Sequence, residues 1–128
     1  MVQVETSQLV AECNAWRESL RKYRDEFTQH KSSLLQAASQ TLSKDQLQQL
    51  EHLQNQFHIQ LINIHDLKHS IKLQCRIMDF ELKESAGHLR EETYAKHEIL
   101  FGQYQNLDAT LEELRWEFER FLDQSRNN

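Results

Sequence analysis

Proline is absent from this chain of 128 residues, and only two glycines occur, Gly87 and Gly102. Proline removes a backbone donor and clashes with the preceding turn, and glycine in a helix loses more conformational entropy than any other residue. Their scarcity favours an all-helical protein. Cysteine is nearly as rare. Cys13 and Cys75 alone make no disulfide framework in a chain of this length, and buried free cysteine packs as a small hydrophobe. No stretch approaches the ~18 consecutive apolar residues of a membrane span. The first seven residues lack the basic head and apolar centre of a signal peptide. These absences lead to the expectation of a cytoplasmic protein with no membrane contact.

Positive charge is also in deficit. Fifteen Lys and Arg face 20 Asp and Glu, a formal net charge of -5 at pH 7. Nucleic acid binding needs clustered cations against phosphates, so no nucleic acid partner is expected. The nearest basic cluster, Arg17, Arg21, Lys22 and Arg24, has Glu18, Asp25 and Glu26 among it. It reads as a solvated helix face. A chain with 27% charged residues is polar enough to suggest disorder, but a disordered chain lacks a sustained apolar period.

This chain has such a period, in alternating steps of four and three. The first run is Leu9, Cys13, Trp16, Leu20, Tyr23, Phe27, His30 and Leu34. The second passes through Leu47, Leu50, Gln54, Phe57, Leu61, Ile64, Lys68, Ile71, Cys75, Met78 and Leu82. The third passes through Thr93, His97, Leu100, Tyr104, Leu107, Leu111, Leu114, Phe118 and Phe121. Each run keeps one helix face against a partner. The runs are out of phase with one another, and a one-residue slip rotates a helix face by ~100°. The chain must therefore break twice. Ser43 with Gln46 three residues on forms a capping box at the first break. Gly87 suits a left-handed C-cap at the second.

The expected fold is an all-α, elongated, up-down-up antiparallel three-helix bundle, a single domain over 1–128, with helices at about 4–38, 44–86 and 88–124. Mirroring about the two turns places Phe57 level with Tyr23 and Phe27, and with Leu114 and Phe118. One half is thus aromatic. The other, with Cys13, Lys68, Cys75, Met78 and His97, is softer and more polar. Ala15-Trp16 on the first helix and Leu111-Glu112-Glu113-Leu114-Arg115-Trp116 on the third resemble the spectrin repeat. That resemblance implies an elongated left-handed bundle with a tryptophan packed in the first helix.

Few residues suggest chemistry. His65-Asp66-Leu67-Lys68-His69-Ser70 is similar to the phosphoacceptor motif of histidine phosphotransfer domains, His-x-x-Lys-Gly-Ser, and to the histidine box of kinase dimerisation helices. The resemblance implies His65 as nucleophile and Lys68, one turn on, as the cation that steadies the phosphoryl group. Two features oppose it: His69 stands where the motif has a small glycine, and the stripe turns Lys68 towards the core. His65 and His69 are also spaced to share an ion, with His58 two turns earlier, but zinc needs a third or fourth ligand, for which Cys13 is the nearest candidate. No metal and no cofactor is expected. His30 and His97 read as hydrogen-bonded core or rim residues. With no nucleophile elbow, phosphate loop or Cys pair motif, the expectation is a non-enzyme with no small-molecule substrate.

Apolar residues off the stripe carry more weight. On helix two, Leu53 and Leu67 widen the core, whereas Ile59, Ile62, Leu73, Ile77 and Phe80 fall on a second face. A helix apolar on two faces is central in a larger bundle or touches another chain. The expected partner is protein, with a homo-oligomer foremost; an antiparallel dimer would bury that face.

Overall fold

The computed structural model describes residues 2–126, with side chains from Thr6 to Ser125; Met1, Asn127 and Asn128 of the expected domain lie outside them. Three helices make the fold: α1 (Val2–Ala37), α2 (Lys44–Glu84) and α3 (Glu91–Arg126). The architecture is the all-α three-helix bundle that the two phase slips require. At the first turn Ser43 caps α2: Gln46 N–H donates to Ser43 Oγ at 3.1 Å, and Ser43 N–H donates to Gln46 Oε1 at 2.9 Å. Two orphan backbone donors are satisfied reciprocally.

The second turn is longer than the spacing suggests. α2 ends at Glu84 and α3 begins only at Glu91. Gly87 N–H donates to the Leu82 carbonyl at 3.0 Å, the long bond of a Schellman motif. Its left-handed residue is Ala86, with φ 54°, and Gly87 follows at φ 90°. The cap expected of Gly87 alone thus extends over two residues, and an alanine takes the position glycine prefers.

α2 is the central helix. It packs along both α1 and α3, which meet each other more sparsely. It therefore needs more than one seam. Leu50, Phe57, Ile64, Ile71 and Met78 form its buried centre. Leu53, Gln60, Leu67, Gln74 and Glu81 recur every seventh residue, all buried. This row is turned to α3: Gln74 Nε2 donates to the Thr93 carbonyl at 3.0 Å. Lys68 and Cys75 lie on the α1 side. The single stripe read from the sequence missed the α3 row because three of its five members are polar. Leu47, expected on the stripe, is exposed in the first turn of α2, where Leu50 and Leu53 fill the core instead.

The aromatic half forms as the mirror rule requires. Phe57 meets Phe27 and Phe118 edge-on, with ring centroids 5.3 Å and 5.4 Å apart. His30 lies over Phe118 at 4.4 Å and binds Glu26 through Nε2 at 3.0 Å. Such edge contacts contribute about 0.5–1.5 kcal/mol each beyond the area they bury.

α1 and α3 run parallel, and polar bonds at a constant offset of 85 residues hold their register. His97 Nε2 pairs with Glu12 at 3.1 Å, Tyr104 donates to Ser19 at 2.8 Å, and Tyr23 donates to Asp108 at 2.5 Å. Trp16 lies buried among them, stacked on Phe101 and Tyr104 and tilted against His97. Further along, Arg115 donates two bonds of 2.6 Å to the Glu26 carboxylate.

Candidate functional site

The core just described is complete without the second apolar face of α2. Ile59, Ile62, Leu73, Ile77 and Phe80 are all exposed, by 39% to 62%. At 100° per residue they fall within a sector of about 60°, so they form one stripe on the outside of the bundle. Asp66 lies in the same sector and His69 about 20° beyond its edge, and together they divide it. Ile59 and Ile62 are on one side, and Leu73, Ile77 and Phe80 on the other.

The second cluster lines a groove. A cleft of about 600 Å³ opens between α2 and α3 beside the second turn. Leu73, Ile77 and Phe80 form its apolar wall, and Arg76, Arg90 and Lys96 stand at its rim with Glu92. None of the three cations forms an ion pair among the described residues. Glu81 and Glu92 share that lining, so on a chain of net charge -5 the three unpaired cations leave the groove with a small local excess of positive charge. A polar groove of about 400 Å³ continues along the same seam, beside Asn63, Asp66, Gln103 and Asn106.

The groove floor holds a polar contact that the sequence did not reveal. Glu81, in the last turns of α2, is buried and reaches across to the start of α3. It accepts the Arg90 backbone N–H at 2.8 Å and the Thr93 hydroxyl at 2.6 Å and 2.8 Å. It is an N-cap supplied by another helix: it satisfies an orphan donor and places negative charge at the positive end of the α3 dipole. Arg90 and Lys96 line the groove next to this contact, which ties the start of α3 to α2. Sequence reasoning found Ile59, Ile62, Leu73, Ile77 and Phe80 but missed both cations, because only tertiary packing brings the start of α3 beside α2.

The residues singled out for chemistry are not assembled into a second site. His58, His65 and His69 all lie exposed on α2. Among the described residues, no group of three His, Cys, Asp or Glu side chains comes close enough to hold a metal ion. Cys13 sits inside the bundle against Cys75 and Ile71: its thiol points at the Ile71 carbonyl at 3.8 Å, and both cysteines are free and buried. Burial, with Cys75 beside it, pushes the Cys13 thiol up, which keeps it protonated and inert. Lys68 is half-buried against α1. Burial and then the neighbouring Arg24, Arg21 and Arg17 hold it below the ordinary lysine range. The basic cluster of α1 thus gains a fifth cation from α2, and Lys68 turns to that side, as its stripe position implies. His97 is buried and His30 half-buried, each with a glutamate on Nε2.

Trp116 is exposed, with the Arg120 guanidinium 4.6 Å above its ring. Of the two tryptophans in the spectrin-repeat resemblance, only Trp16 packs inside. No helix among the described residues is long and apolar enough to cross a membrane. Comparisons with protein-family models, curated proteins and solved structures found no match.

Proposed function

We propose that the chain is a non-enzymatic helical interaction module that binds itself or a protein partner through the outer face of α2. The observation that carries this reading is the stripe of five large apolar side chains left outside a completed core. Fully burying such a side chain contributes about 1.5–3 kcal/mol, so the stripe holds several kcal/mol that the monomer leaves unused. Contiguous apolar surface with a polar or charged rim is the usual form of a protein docking site. The rim of Arg76, Arg90 and Lys96 adds selectivity for a partially acidic surface.

The test is a doubly substituted chain, Leu73→Asp with Phe80→Asp. Both positions are exposed, so helix content and melting temperature should stay near those of the parent, while any association is lost. Light scattering over a wide concentration range and partner capture report that association. A parent chain that is monomeric throughout, and that retains no protein lost by the variant, would sink the proposal.

A further inference from the structure

We infer that the groove beside the second turn receives a second copy of this chain, docked antiparallel along α2. This rests on the outer face of α2 being an interface, and it commits that face to one occupant and one register.

The first argument is the division of the stripe. The residues Ile59, Ile62, Asp66, His69, Leu73, Arg76 and Phe80 alternate in steps of three and four, the spacing of a second heptad seam on α2. Its apolar members fall into two clusters with Asp66 and His69 between them. A two-fold axis level with residue 71 lays Ile62 of each copy on Phe80 of the other and Leu73 beside His69. Such an isologous contact is self-complementary and closes at two chains.

Charge selects the direction and the register. In a parallel pair in register, Arg76 would face Arg76 and Asp66 would face Asp66. In an antiparallel pair with Ile62 of one copy opposite Phe80 of the other, Asp66 falls opposite Arg76 and His69 opposite Leu73. Asp66 is the carboxylate of this seam, and it forms no ion pair within its own chain among the described residues. The pairing delivers it to the cationic rim of the second copy, where Arg76 has no partner of its own. Ile62 enters beside Ile77 and Phe80, and the same exchange occurs twice.

Cross-linking tests the register directly. Across the axis, the two copies of Ile62 stand about 27 Å apart, as do the two copies of Phe80, far beyond the ~7 Å Cα separation a disulfide spans. Neither Ile62→Cys nor Phe80→Cys alone should cross-link under oxidised glutathione, whereas an equimolar mixture of the two should give a covalent dimer. The native cysteines are buried and do not compete. In parallel, Asp66→Arg and Arg76→Asp should each weaken dimerisation at least tenfold by sedimentation, and the double variant should recover it. Circular dichroism confirms that each variant is folded. A dimer that ignores the charge reversals, or that cross-links in a single variant, overturns this register while leaving the interaction module standing. A parent chain that stays monomeric overturns the second copy as occupant; partner capture that depends on Phe80 then decides the module reading separately.

Discussion

Ala86 is the residue whose backbone asks most of it. An L-residue at φ 54° carries a steric cost of roughly 1–2 kcal/mol that glycine does not. Ala86→Gly should therefore raise stability by about 1 kcal/mol, seen as a higher midpoint in urea at unchanged slope. An unchanged or lower midpoint would mean that the extra freedom of glycine in the unfolded chain cancels the relief. Glu81 is the opposite case, a polar residue in a core position that looks wrong until α3 is in place. Glu81→Ala strands the Arg90 N–H and the Thr93 hydroxyl, and should cost about 1–3 kcal/mol by thermal or chemical denaturation. A loss below half a kcal/mol would show that water serves those donors equally well. Neither effect was legible from the residue alone: alanine is at home in helices, and a glutamate in a heptad row reads as solvated.

At the scale of elements, the seam between α1 and α3 differs in kind from the two seams of α2. α2 meets both neighbours around a continuous apolar centre, Leu50, Phe57, Ile64, Ile71 and Met78, while α1 and α3 are registered by polar pairs. Glu26 is the clearest of these. Burial pushes its carboxyl up, but hydrogen bonds from Arg115 and His30 outweigh burial and hold it below the ordinary value of 4.5. A carboxylate whose folded pKa is depressed stabilises the fold fully above its unfolded pKa, and loses that contribution as pH falls through the folded value. Glu26→Gln should therefore lower stability at neutral pH and flatten the decline below pH 4.5. Denaturation midpoints measured across that range check the sign; parallel curves for parent and variant would remove Glu26 from the account. The helices themselves were readable from period and phase, and the first turn from its capping box. The α1–α3 register was not, because the partners lie 85 residues apart and no local pattern links them.

Across the whole molecule, the bundle has unequal halves. Phe27, Phe57 and Phe118 interlock towards the first turn. Towards the second turn, the buried layers hold Cys13, Cys75, Met78, Gln74, Glu81, Thr93 and His97. Less apolar burial there means lower free energy of local opening. Amide hydrogen exchange should be faster in Gln74–Glu84 and Glu91–Leu100 than in the central turns around Phe27, Phe57 and Phe118. Uniform protection along α2 would show that the polar network holds that end as firmly as the rings hold the other. The proposed docking groove lies at this softer end, so a dimer should raise protection there in proportion to concentration.

The sequence by itself determined three helices, two breaks, the aromatic level and the surplus apolar face of α2. All of these follow from the fixed pitch of a helix and from the few residues that end one. Only the tertiary structure decided which surplus residues stay outside. A helix between two neighbours must divide its circumference among them, so Leu53 and Leu67 went inward and Ile59, Ile62, Leu73, Ile77 and Phe80 remained exposed. It also decided that Arg90 and Lys96 would stand beside that face. Charges distant in sequence become neighbours only when a buried contact such as Glu81 to Thr93 anchors the helix that carries them.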